Sequence, residues 1–161
     1  MSADADDRLP DVAQVLAPVL ARTPPERQPL LIAIAERMAA DRYRRWAAEP
    51  SLAGHRAALL ACAGREEDIA ARVEALHADA DAIQRELRGG GLEEVNRRVF
   101  AGLALRAQLT VQMRGERLGA ATWRAFARHA PDAARAVFLA CAELEEVSAV
   151  VLETILAAAA V

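Results

Sequence analysis

Four glutamates, Glu36, Glu67, Glu116 and Glu146, are the side chains of this 161-residue chain whose type and spacing could do chemistry. Residues three, four and seven positions apart share a helix face. By that rule Glu36 lies with Ile32, Ala39, Ala40 and Tyr43, and Glu67 with Leu60, Ala63, Ala70 and Ala71. Glu116 lies with Leu109, Met113, Gly119, Ala120 and Trp123, and Glu146 with Leu139, Ala142, Ala149 and Val150. All four are expected to face inward. Glu36 and Glu67 flank a turn near Ser51 at similar distances, as Glu116 and Glu146 flank a turn near Pro131. At a rise of ~1.5 Å per residue, each antiparallel pair therefore comes level. One carboxylate from each of four helices at one height is how a helical bundle builds a carboxylate-ligated metal site. Ionised carboxylates in an apolar core require a counter-charge. That leaves a bound cation, protons shared between carboxyls, or arginines such as Arg37, Arg72 and Arg117 curling inward, unless the faces open to solvent. No arginine is expected on the face of the four glutamates.

The elements that must position these side chains follow from an internal repeat, which is sought before any other pattern. The segment LACAGREEDIAARVEAL, from Leu60, recurs as LACAELEEVSAVVLETI, from Leu139, displaced by 79 positions. Leu60, Cys62, Glu66, Glu67, Ala70 and Glu74 fall on Leu139, Cys141, Glu145, Glu146, Ala149 and Glu153. A shift of 80 likewise sets Glu36, Arg37, Tyr43 and Arg44 on Glu116, Arg117, Trp123 and Arg124. The chain reads as two copies of one helical hairpin, about residues 24–88 and 92–161, after a loose acidic tail over 1–10. A short amphipathic helix from Asp11 to about Arg22 carries Val12, Val15, Leu16, Val19 and Leu20, and is expected to lie across the main body. Thr23, Pro24, Pro25 and Glu26 form a Thr-x-x-Glu capping box at the start of the first long helix, which ends before Pro50. The second begins near Leu52, and its pattern weakens after His77. Gly89, Gly90 and Gly91 are the clearest break in the chain. A third helix lies within 92–126, weakly broken at Gly102, and a fourth runs from about Asp132 into the apolar LETILAAAAV terminus. The glycines permit either a tight turn, giving an up-down-up-down arrangement, or the start of a crossover. The crossover is preferred, because a long polar protrusion would bury little apolar area against its ordering cost.

Composition narrows the function. Aromatic residues are 4% of the chain and clusters of strand-favouring residues are missing, so the fold class is all-α and one domain accounts for residues 11–161. A net charge of −3, with arginines scattered among acidic residues, offers no basic stripe for nucleic acid. The apolar run from Leu30 to Ala35 is too short to span a membrane, and the acidic start lacks the basic region of a signal peptide, so a cytoplasmic location is expected. Cys62 and Cys141 read as small buried hydrophobes rather than a disulfide or metal pair. The apolar terminus predicts a homodimer.

On Glu36 with Tyr43 seven residues on, and on REEDIAARVEAL from Arg65, the chain resembles the ferritin-like superfamily, in particular rubrerythrin-type bundles. The likeness covers most of residues 30–156. It implies a four-helix bundle of ferritin-like type built from two hairpins, with Glu36, Glu67, Glu116 and Glu146 as ligands to iron or manganese. The family places a histidine three residues after the glutamate of each second helix, and this chain has Ala70 and Ala149 there. Alanine supplies no donor in place of imidazole. The expectation is therefore a bundle of degenerate site, structural or interactive in role, without conventional diiron redox chemistry. The alternative is a carboxylate-ligated iron or manganese protein or oxidoreductase using the four glutamates. Glu74 with His77 forms a lesser Glu-x-x-His, whose repeat counterpart Glu153 has Leu156 instead. His55 and His129 read as solvated residues at hairpin ends, and Tyr43 and Trp123 as core packing.

Overall fold

The computed structural model describes residues 9–158, which form α-helices and short 3-10 turns with no strand among them. Residues 1–8 of the expected tail and 159–161 of the apolar terminus lie outside the described residues. The helices are α1 (Val12–Arg22), α2 (Gln28–Ala47), α3 (Arg56–Glu74), α4 (Ala80–Arg88), α5 (Leu92–Phe100), α6 (Leu105–Ala127) and α7 (Asp132–Ala158).

Local chemistry sets the boundaries. The Asp11 carboxylate caps α1 by accepting from the backbone N–H groups of Ala13 at 2.9 Å and Gln14 at 3.2 Å. Thr23 closes α1 rather than opening α2: its hydroxyl donates to the carbonyl of Val19 at 2.9 Å. The expected capping box with Glu26 does not form, because Pro25–Arg27 first make a 3-10 turn and leave Thr23 a turn too early. Pro50 stops α2 as expected, and Pro50–His55 fold into a second 3-10 turn. Gly91, at φ 92°, takes the left-handed conformation that starts α5.

Two antiparallel hairpins, α2 with α3 and α6 with α7, share one core, and α3 also packs along α7. Their directions follow from who meets whom. One core cluster collects Ile32 from the start of α2, Val73 from the end of α3, Trp123 from late α6 and Phe138 from early α7. The opposite cluster collects Trp46 from the end of α2, Leu59 from the start of α3, Leu109 from early α6 and Ile155 from late α7. Helices α3 and α6 therefore run parallel, so the connection through the glycines is a crossover and not the reversal of an up-down-up-down bundle. The chain returns along the body through α4 and α5. Near the first end, the Gln84 amide on α4 donates to the carbonyl of Leu30 at 3.3 Å. At the other end, the Phe100 ring of α5 lies 6.4 Å from that of Trp46. Helix α1 packs over α5 and α6, contributing Val19 to a third cluster with Leu31, Ile34 and Leu92.

Adjacent leucines on α3 report the register. Leu59 is fully buried, whereas Leu60 is 44% exposed. Leu59→Ala is expected to cost about 2–5 kcal/mol of stability and Leu60→Ala about 0.5 kcal/mol or less. Urea unfolding followed by circular dichroism measures both; equal losses would show that this register of α3 is wrong.

Candidate functional site

The four long helices bring together Glu36 (α2), Glu66 (α3), Glu116 (α6) and Glu145 (α7), all at most 7% exposed. Glu36 and Glu116 are as expected. Glu67 and Glu146 are not in the core: each carboxylate lies one residue round its helix, on the outer face of its hairpin. Glu67 accepts from Arg37 at 2.7 Å and Arg44 at 2.9 Å. Glu146 pairs with Arg117, and with Arg124 at 2.9 Å. Arg37 and Arg117 each reach a second carboxylate, Glu74 and Glu153 respectively. Of the arginines named above as one source of counter-charge, Arg37 and Arg117 hold the outer seams and Arg72 pairs with Asp68 on its own helix.

The displacement has a simple cause. Glu66 has Leu59, Cys62, Ala63, Ile69, Ala70 and Val73 as its neighbours at three, four and seven positions, and all six are buried. Glu67 has exposed Leu60 and Ala71 and half-buried Glu74 in the equivalent places. The same contrast separates Glu145, with Phe138, Cys141 and Leu152, from Glu146, with exposed Leu139, Val150 and Glu153. The bulk of those neighbours was the available signal. It also moves the motif positions: three residues beyond the core glutamates stand Ile69 and Ser148, not Ala70 and Ala149.

Carboxylate oxygens of Glu36, Glu66 and Glu145 all lie within 4.8 Å of one another. Glu116 stands beside this trio. Its Oε1 accepts from the Tyr43 hydroxyl and from the Gln112 amide, both at 2.7 Å. The indole N–H of Trp123 donates to Glu145 Oε1 at 2.9 Å, and the Ser148 hydroxyl donates to Glu66 Oε1 at 3.0 Å. These donors are neutral. Arg42, buried nearby, donates instead to Gln112 at 3.0 Å and Asn96 at 2.8 Å, with its guanidinium 4.2 Å above the Phe100 ring. Glu66 Oε2 and Glu116 Oε2 are buried with no hydrogen-bond partner. Gly119 makes room on α6, since a Cβ there would collide with the Glu145 carboxylate.

The lesser candidates are occupied elsewhere. Glu74 binds Arg37 and the Gln84 amide rather than His77, and its carboxyl is held below its usual range chiefly by the Arg37 hydrogen bond. Cys62 and Cys141 are free and buried. Among the described residues no helix is long and apolar enough to cross a membrane. No family model, curated protein or solved structure matches the chain.

Burial disfavours the charged form of a carboxyl and neighbouring carboxylates add to the effect. Burial first, and then the charge of Glu116, raise Glu36 from 4.5 to about 7. Glu66 and Glu145 are also raised, first by burial and then by the charges of Glu116 and Glu36 respectively. A carboxyl whose folded pKa exceeds its unfolded value stabilises the fold at low pH and loses that contribution as pH rises through the folded pKa. Cation-free protein is therefore expected to lose stability between about pH 4.5 and 7, by roughly 3 kcal/mol from Glu36 alone. Thermal unfolding in chelator across that range tests it: the expected midpoint falls with rising pH, and a flat or rising midpoint would count against a buried, proton-sharing cluster.

Proposed function

We propose that this chain is a helical-bundle protein that binds a hard divalent cation through Glu36, Glu66 and Glu145, with Glu116 completing the charged set. The observation that carries the reading is the pair of buried, unpartnered oxygens, Glu66 Oε2 and Glu116 Oε2, in a group of four core carboxylates whose hydrogen bonds come from neutral donors. Desolvating each ion costs several kcal/mol, and a nearby cation offsets that cost most directly. The residues fit such an ion: three carboxylates within mutual reach, and a glycine on α6 where a side chain would push Glu145 aside. An all-oxygen donor set suits manganese(II), magnesium or calcium better than metals that prefer imidazole or thiolate, which places manganese ahead of iron. When bound, such an ion supplies Lewis acidity at the centre of the core.

The ferritin-like resemblance is part of the proposal. It is supported by the crossover between parallel α3 and α6 and by one core glutamate on each long helix. The ligand set differs from the expected one, with Glu66 and Glu145 replacing Glu67 and Glu146, and Ile69 and Ser148 standing where the family places histidines. A second reading, a degenerate bundle of structural or interaction role acting as a homodimer, is favoured by exposed Leu60, Leu139, Val147 and Val150 on α3 and α7.

Metal analysis and manganese paramagnetic resonance on protein reconstituted anaerobically with manganese(II) or iron(II) separate the two readings. The expected result is one ion per chain, lost in Glu66→Ala and Glu145→Ala and kept in Glu67→Ala and Glu146→Ala. Gly119→Ala is expected to stay folded and weaken binding at least about 10-fold, since ligand misplacement of this kind is costly. A folded protein that takes up neither metal leaves the structural reading in place. For the dimer, light scattering is expected to give twice the chain mass, falling to one in Leu60→Glu/Leu139→Glu.

A further inference from the structure

Between α2 and α6 lies a cavity of about 200 Å³, flanked by α1 and α5 and partly open to solvent. Short side chains make the room. Ala35 and Ala39 line it from α2, and Gly115 and Gly119 from α6. The members of each pair are four residues apart, so each pair leaves one strip of its helix without bulk. At Gly115 a Cβ would meet no atom within 4 Å, so the space begins at the helix backbone. Leu16 and Leu20 of α1 and Val99 and Phe100 of α5 give the remaining wall its apolar surface.

We propose that this cavity binds a small uncharged hydrocarbon of about seven to nine heavy atoms, seated between α2 and α6. Size sets the length: an apolar cavity of ~150 Å³ accommodates benzene, and this one is somewhat larger. The ionisable residues of the wall set the charge, because none offers an entering ion a free partner. Arg42 lines the cavity, but its guanidinium donates to Gln112 and Asn96 and lies over the Phe100 ring. Glu36 and Glu145 line it as carboxyls that burial holds above the usual carboxylate range, so without a cation both carry protons at pH 6. Glu116 lines it too, yet at 1% exposed it presents almost no surface. An ammonium or a carboxylate would therefore give up its hydration without compensation, whereas a hydrocarbon gains by leaving water. The proposal does not rest on the cation.

Calorimetric titration of the full chain with ethylbenzene, benzylamine and benzoate, three probes of similar size and different charge, tests this at pH 6 in chelator. Ethylbenzene is expected to bind at least about 10-fold tighter than either charged probe. Gly115→Leu fills the cavity from α6 and replaces glycine with a better helix former, so it is expected to abolish ethylbenzene binding while the thermal midpoint holds or rises. Leu16→Trp fills it from the half-buried face of α1 and is expected to do the same, which covers the case in which the first variant does not fold. No ethylbenzene binding, equal or tighter binding of benzylamine or benzoate, or binding that survives both folded variants would overturn the proposal. Manganese uptake without ethylbenzene binding removes this inference and spares the cation site; ethylbenzene binding without manganese uptake does the reverse.

Discussion

Four carboxylates in the interior of one small helical domain are the constraint on which the rest of this structure depends. An apolar core does not tolerate uncompensated charge, and neutral hydrogen bonds relieve only part of the cost. The observed donors, Tyr43, Gln112, Trp123 and Ser148, satisfy one oxygen each of Glu116, Glu145 and Glu66. What remains has to be met by protons or by a cation. In the absence of a cation the raised pKa of Glu36, near 7, follows from this, with burial as its first cause. A cation and a proton compete for the same oxygens, so the cluster couples occupancy, protonation and stability.

The outer faces of the hairpins solve the opposite problem. Arg37 and Arg44 on α2 are seven residues apart, as are Glu67 and Glu74 on α3, and the two rows interlock in the seam. Arg117 and Arg124 meet Glu146 and Glu153 between α6 and α7 in the same way. Exposed pairs of this kind contribute little to stability singly. Their value here is positional. With Glu67 and Glu146 tied outward, the preceding residue of each dyad, Glu66 and Glu145, is turned about 100° round its helix into the core. The adjacent glutamates of each dyad thus divide into an outer member that fixes the hairpin seam and an inner member that carries the site.

That division explains what the sequence could and could not show. The all-helical fold, the two hairpins and the break at Gly89 to Gly91 were legible because each rests on local pattern: periodicity, proline and glycine. Glu36 and Glu116 were legible because each is flanked by residues of clear polarity. Within the dyads the polarity of the immediate neighbours is ambiguous, since alanine occupies both faces of α3 and is at home buried or exposed. What separates Glu66 from Glu67 is the bulk of buried Leu59, Ile69 and Val73 against exposed Leu60 and Ala71. The capping box at Thr23 failed for a different reason: Pro24 and Pro25 satisfy the pattern while adding a 3-10 turn before α2 begins. The buried Arg42 had no local signature, because what holds it, Asn96 of α5 and Gln112 of α6, arrives only when the crossover is in place.

The two hairpins also differ where they meet at the site. Tyr43 and Trp123 occupy equivalent positions, yet the tyrosine reaches across to Glu116 of the other hairpin, whereas the indole binds Glu145 within its own. An indole N–H can only donate, so it holds Glu145 Oε1 as an acceptor in every state; a phenol can donate or accept. Glu145 is therefore held at Oε1 by a donor alone, in space that the missing Cβ of Gly119 leaves open. Glu116, held by the phenol and by Gln112 at Oε1, is left with a buried Oε2 that has no hydrogen-bond partner. Each long helix carries one core carboxylate. Tyr43 and Trp123 give Glu116 and Glu145 different partners, so one stands beside the trio while the other belongs to it.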